Sequence, residues 1–337
     1  MNSIRLTALA VTMISVAPSI RSAPAQGGSG WLLVANKGDH TLGIVDPSSG
    51  KQIAAVPENG VTGHETTASP DGKTAYVPIY GNSGVGKPGT DGSNVIAIDL
   101  ASRKIVGNLN FGHGVRPHLP QFGPKNGLLY VSTELEKSIS IIDPKTFKVI
   151  GSVPTGQKES HMFVISHDGH RAYTANVGPG TVSVLDLDAK KTLKIIPISS
   201  NTQRISISPD DKEVFTSDQA KPRLAIIDTA TDTVKNWVDL PGTGYGTAPT
   251  PDGKWLVVAV PPVNKVAIVD LRTRKVVKTI DVPSAPQEVL VRPDGKIAYV
   301  SCNASGQVAA IRTSDWKVDS LIQAGKDADG LAWANGR

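Results

Sequence analysis

One short phrase recurs along the chain at nearly constant intervals, and few folds can accommodate it. It reads SPDGK at Ser69, GPKNG at Gly123, SHDGH at Ser166, SPDDK at Ser208, TPDGK at Thr250 and RPDGK at Arg292. The steps are 54, 43, 42, 42 and 42 residues. A second phrase follows each of these turns: IAIDL at Ile96, IIDP at Ile141, VLDL at Val184, IIDT at Ile226 and IVDL at Ile268, with a degenerate AAIRT at Ala309. IVDP at Ile44 precedes the first turn, so seven units fit. Each unit alternates or runs apolar over four to six positions rich in Val, Ile and Tyr, between Gly, Pro and Asp punctuation, which is strand chemistry. No segment shows a helical period. Four short strands per repeat, seven times over, predict an all-β fold: a seven-bladed β-propeller with four-stranded antiparallel blades.

The chain ends support closure. The last piece, DADGLAWANGR, reads as a first strand with nothing after it, and WLLVANKGDHTLGIVD reads as second and third strands with nothing before them. Joined, they complete one blade and remove two exposed sheet edges. A single propeller domain is therefore expected over residues 26–337. One insertion, YGNSGVGKPGTDGSN from Tyr80 to Asn94, lengthens the second unit and is expected to form a loop at the rim of the ring.

Before residue 26 the chain reads as a leader. Arg5, the apolar run Leu6 to Ala17 and the small residues ending at Ala25 fit a signal peptide over 1–25, so a periplasmic or secreted protein without a transmembrane segment is expected. Without Arg5 and Arg21 the formal charge falls from +5 to +3. That charge, with 5% aromatic residues, gives no reason to expect a nucleic-acid partner. Cys302 is the single cysteine, so no internal disulfide can form. A closed ring needs no partner to fold, so a monomer is compatible with the sequence, which leaves the oligomeric state open.

The repeats lack the Trp-Asp ending of WD40 units and the double glycine of kelch. SPDGKTAYVP, GLLYVST, DGHRAYTAN and PDGKIAYVSCN, each followed by a V-x-V-I-D strand, resemble the YVTN-repeat propellers of exported bacterial and archaeal proteins. The resemblance covers nearly the whole mature chain. It implies the fold and leaves function open, because that family includes lactonase-like enzymes, surface-layer proteins and a periplasmic DNA binder.

Aligned on the turn, the residue six positions earlier is His64, His118, His161, Gln203, Tyr245 and Gln287, with Asp329 close to it in the closing blade. Equivalent positions of innermost strands form a ring around the axis, so three histidines face one mouth of the channel. Three neutral imidazoles suit zinc, copper, iron(II) or nickel, and three protein ligands leave a coordination position open. The expectation is a divalent transition-metal site at His64, His118 and His161, able to make bound water a nucleophile or base. Glu65, Glu134 and Glu159 are candidates for a fourth ligand, for a proton carrier or for partners to the imidazole N–H groups, and Tyr245 for a donor to a developing oxyanion. Arg116 and Arg204, with Gln203 and Gln287, are candidate substrate contacts. This plan is similar to that of zinc-dependent lyase propellers acting on hydroxyglycine peptides. It implies a metal-dependent hydrolase or lyase working on a small polar molecule. The alternative is a non-catalytic scaffold that binds a ligand or an envelope protein; single-stranded DNA binding is a weaker one. No C-x-x-C-H motif and no P-loop occurs, and neither haem nor nucleotide is expected.

Overall fold

The computed structural model describes residues 30–336. The leader, 1–25, lies outside the described residues. Seven four-stranded antiparallel sheets are arranged as blades, and the only helices among the described residues are two 3-10 turns, Pro261–Val263 and Asn303–Ser305. Blade 1 joins the ends of the chain in the order Ala328–Asn335, Gly30–Asn36, Thr41–Asp46, Lys51–Pro57. Its closing pairs are Leu32 with Trp333, Leu33 with Ala332 and Val34 with Leu331. The other six blades follow in sequence, each innermost strand first: Thr67–Ala68, Pro117–Phe122, Ser160–Ile165, Thr202–Ile207, Thr247–Pro249 and Pro286–Val291.

The apolar core lies between blades. Leu33, Ile44, Val77, Ile79 and Ile96 pack blade 1 against blade 2, and Met162, Val184, Ile205 and Ile227 pack blade 4 against blade 5. Side chains of this size stabilise by about 1.5–3 kcal/mol each when buried. Both faces of the middle strands are therefore apolar, which explains their continuous Val and Ile runs. The outermost strands alternate, as in Lys104–Asn110, where every second residue faces solvent.

The insertion is more ordered than its glycine content suggests. Tyr80 and Gly81 extend the strand Thr74–Gly81, and Asp91 to Asn94 begin the strand Asp91–Asp99, with Ile79 opposite Asn94 and Gly81 opposite Asp91. Only 82–90 is left as loop, closed at its neck by Thr90 N–H donating to Asn82 Oδ1 at 2.7 Å.

At the mouth where the histidines were expected, the backbone repeats a kink. Thr62, Arg116, Glu159, Ala285 and Asp327 all have φ between 41° and 57°. Each stands two residues before a ring position: His64, His118, His161, Gln287 and Asp329. Left-handed non-glycine residues are uncommon, so five at one register mark a built feature. Just after three of them the ladder slips, between Pro117 and Pro120, Ser160 and Met162, and Pro286 and Val289, and it slips at the equivalent place between Thr202 and Ile205. Such bulges re-aim side chains, and here the re-aimed side chains enter the channel.

Candidate functional site

The three histidines come together. The rings of His118 and His161 overlie one another with centroids 3.6 Å apart, and His64 stands edge-on to His118 at 5.3 Å. Tyr80 wedges against all three, at 4.6, 5.2 and 5.8 Å from His64, His118 and His161. His118 and His161 are buried and His64 is half-buried. Burial is the main reason that all three resist protonation. His64, with Lys37 and Arg204 adding to the effect, is pushed down to about 3, and the other two fall well below the usual range. Their lone pairs are therefore free at neutral pH.

These rings line a cavity of about 400 Å³ at the channel mouth, together with Gln203, Arg204, Tyr245 and Gln287. Residues 81–85 of the insertion border it, and Lys37 and Asp329 stand on its wall. Among the described residues seven buried side-chain polar atoms lack a hydrogen-bond partner. Four belong to residues on this one cavity: Ser83 Oγ, His118 Nδ1, His161 Nδ1 and Arg204 Nε. Buried polar groups are normally paired, and a cavity lined by several residues that carry unpaired ones is a candidate for ligand binding. A larger groove of about 740 Å³ lies on the opposite face among the blade turns, near Pro209, Trp255 and Arg274. None of the seven unpartnered atoms belongs to it, which makes the axial cavity the stronger candidate.

Below the histidines an ionic cluster crosses the channel. Arg204 donates through Nη1 to Glu65 at 2.6 Å and to Glu288, and through Nη2 to Asp329 at 2.9 Å. Lys37 Nζ lies 3.5 Å from Asp329. Four blades contribute, and the guanidinium is 3% exposed. Burial raises the carboxyls of Glu65 and Glu288, against the pull of Arg204. Tyr245 lies under the guanidinium at 5.1 Å, and burial pushes its hydroxyl up to about 12. The hydrogen-bonding reach of Arg204 and Glu65 is thus directed mainly at each other and at neighbouring carboxylates.

The remaining sequence candidates form a second group, behind Tyr80. Glu134 accepts from the Tyr80 hydroxyl through Oε2, and through Oε1 from Gly86 N–H at 3.1 Å and Arg116 Nη1 at 3.2 Å. Arg116 also donates through Nε to Asp91 at 2.6 Å and through Nη2 to the Lys87 carbonyl at 2.7 Å. Glu159 accepts from Gly178 N–H at 2.8 Å. It borders a separate hollow of about 360 Å³ with Arg116 and Glu134. Glu134, Glu159 and Arg116 do not line the histidine cavity.

Sequence reasoning missed Tyr80, Lys37 and Glu288. Tyr80 was legible: side chains on one strand face repeat every second residue, and Tyr76 packs its ring on Phe122 of the next blade at 5.5 Å. Counting on by twos points Tyr80 at that blade, beside His118. Lys37 and Glu288 carry no such signal.

Glu58, 1% exposed, gives a pH test of this rim. Its Oε2 accepts from Gly63 N–H at 2.7 Å while Oε1 has no partner. Burial pushes it up to about 7, against the opposing Gly63 bond. Between an unfolded value near 4.5 and that value, the folded state holds a proton that the unfolded state has lost. Stability therefore declines as pH rises through this window and stays lower above it. Glu58→Gln keeps an acceptor for Gly63 and removes the titration. Denaturant melts at pH 5 and pH 8 should show a flatter pH dependence and a gain at pH 8 of up to about 3 kcal/mol; an unaltered pH profile would refute it.

Among the described residues no group of three or more His, Cys, Asp or Glu side chains is arranged to hold a metal ion. The rings of His118 and His161 lie against one another at 3.6 Å with a 34° tilt. No curated protein sequence matches the chain. Hydrazine synthase from Kuenenia stuttgartiensis has a similar structure: TM-score 0.73, 21% identity, covering 89% of this chain and 99% of that one. At that identity the likeness speaks for the fold. Residues 124–335 match the Cytochrome D1 heme domain, a span that holds Glu134, His161, Arg204 and Asp329 and begins after His64 and His118. The match overturns the expectation of a lone divalent ion and no haem. The missing C-x-x-C-H motif excludes covalent attachment only; a haem held by a single imidazole leaves no spaced cysteine pair to find. The chain belongs to the Cytochrome D1 heme domain family.

Proposed function

We propose that this is an exported haem-type tetrapyrrole-binding propeller, with its site at the histidine-lined mouth of the channel. Three unprotonated imidazoles lining one cavity, in a chain whose family is a heme domain, are the observation that carries the reading. Neutral imidazole is a common protein donor to haem iron. His64, His118 and His161 are the imidazoles that border the cavity, and His64 is the most open to it. Lys37, partly exposed on the cavity wall, and the unpartnered Nε–H of Arg204 are the donors left for the acidic side arms of such a group. Gln203, Gln287 and Ser83 offer further hydrogen bonds around the rim. A bound haem-type iron would supply redox chemistry or binding of a small ligand. The chain's own part is to present unprotonated nitrogens, hold the ionic floor beneath them and wall the cavity on one side with residues 81–85.

The free-ion hydrolase or lyase reading is not carried further, since it rested on convergence of the three imidazoles on one ion. Export to the periplasm agrees with the leader expected over 1–25, and no helix among the described residues is long and apolar enough to cross a membrane. The YVTN likeness of the repeats fits the same architecture.

Titrating the purified protein with ferric haem tests the proposal. A Soret band that shifts from its free position and saturates at one equivalent is expected. Absorbance rising without saturation, as for non-specific adsorption, would rule it out.

A further inference from the structure

Glu134 touches both the insertion and the wall of the histidine cluster. On one side its Oε1 accepts from Gly86 N–H and Arg116 Nη1, while Arg116 holds the Lys87 carbonyl and Asp91 at the neck of the loop. On the other side its Oε2 accepts the hydroxyl of Tyr80, whose ring packs on all three imidazoles. The same oxygen lies 3.9 Å from His161 Nδ1. Glu134 is 3% exposed and Tyr80 fully buried.

A separation of 3.9 Å is too long for a hydrogen bond. It is short enough for charge to choose between tautomers. With a carboxylate facing Nδ1 in a buried setting, the tautomer carrying its proton on Nδ1 places a positive hydrogen toward the negative oxygen. The other tautomer would set a lone pair against it. Low local polarity strengthens this preference. The His161 Nδ1 proton then leaves the lone pair on Nε2, and a neighbouring carboxylate commonly fixes ligating histidines in this way.

We infer that Glu134 is a positioning residue with two linked tasks: it holds His161 as the Nδ1–H tautomer, and it pins the loop 82–90 as a fixed wall of the cavity. This rests on the reading that the imidazoles face a bound ligand, but its test does not need one. The loop is set in place before any ligand arrives, so residues 81–85 determine what shape can approach the histidines. Specificity at this mouth is therefore a property of the Arg116–Glu134 clamp as much as of the imidazoles.

The experiment uses the ligand-free full chain and two variants, Glu134→Gln and Tyr80→Phe. Hydrogen exchange of 82–90 and the imidazole ¹⁵N shifts of His161 are measured for each. In Glu134→Gln we expect exchange in 82–90 to accelerate by about tenfold or more, while the strands of blades 5 and 6 are unaffected. The His161 ¹⁵N shifts should move toward a mixture of tautomers. In Tyr80→Phe the Arg116 bond to Glu134 is untouched, so loop exchange should stay as in the wild type. Loop protection and His161 tautomer both unaltered in Glu134→Gln would overturn the inference. So would loop exchange accelerated equally in Tyr80→Phe, since a general loosening of the rim would then explain it. If the wild type takes up no haem yet these shifts are seen, the haem reading fails and the positioning role stands.

Discussion

The triple substitution His64→Ala/His118→Ala/His161→Ala should abolish saturable haem uptake and leave the propeller folded. The three rings sit where the blades present side chains to the cavity, and the interblade cores of Val, Ile and Leu do not include them. His118 and His161 each carry a buried nitrogen without a partner, so their removal takes away an unfavourable burial along with packing. The net cost should be roughly 1 kcal/mol per site, small beside the loss of every donor nitrogen on that wall. Single variants sharpen the result. His64→Ala should weaken uptake by about a hundredfold if it supplies the iron-binding nitrogen, and His118→Ala and His161→Ala should weaken it less. The pH profile is a second readout. Because burial pushes His64 down to about 3, uptake should be flat from pH 5 to pH 8, where an exposed histidine would lose its lone pair on acidification. A triple variant that titrates like the wild type would place the donor elsewhere and end the assignment.

The architecture was legible because it is written many times. Each Asp-Gly turn and each V-x-V-I-D strand is repeated, so a reading that fails in one unit is corrected by the others, and the chain-end strands pair as their sequences required. The histidine ring was legible for the same reason, since equivalence of units converts a spacing along the chain into proximity across it. What repetition could not show was orientation within the ring. His118 and His161 share a register, yet bulges at Pro117–Pro120 and Ser160–Met162 turn their rings onto one another. The expected ligand set depended on nitrogens aimed at one point, which residue spacing does not encode. Partner choice was equally invisible. Arg116 and Arg204 read alike as rim cations, but Arg116 clamps a loop within its own neighbourhood while Arg204 reaches Glu65 and Asp329, 139 and 125 residues away. The haem proposed here left no signal in the sequence for a different reason, because a noncovalent haem asks for one imidazole and a shaped cavity, and neither leaves a motif.

Arg204→Met should cause the largest loss of stability of any substitution at the mouth. The guanidinium is buried and bonded to Glu65, Glu288 and Asp329, and methionine roughly fills its volume without its charge. Three carboxyls would then share Lys37 alone. Removing one partner of a buried ion cluster costs about 3–5 kcal/mol, since the remaining charges stay desolvated. For a chain of this size that is roughly a 10 °C fall in melting temperature. The sign with pH follows from the wild-type shifts. Glu65 and Glu288 already sit above their usual values through burial, with Arg204 opposing. Without Arg204 they rise further, so the folded variant holds protons that its unfolded state releases. Its stability must therefore fall as pH rises above the unfolded carboxyl range, and recover toward pH 5. Thermal melts of wild type and variant at pH 5 and pH 8 measure both effects. Adding Glu65→Gln and Glu288→Gln to Arg204→Met removes the stranded charges, and should restore most of the loss at pH 8. A melting temperature within about 2 °C of wild type at pH 8 would mean that the cluster is hydrated and the channel floor open to water. In that case the low polarity that keeps the three imidazoles unprotonated would fail with it.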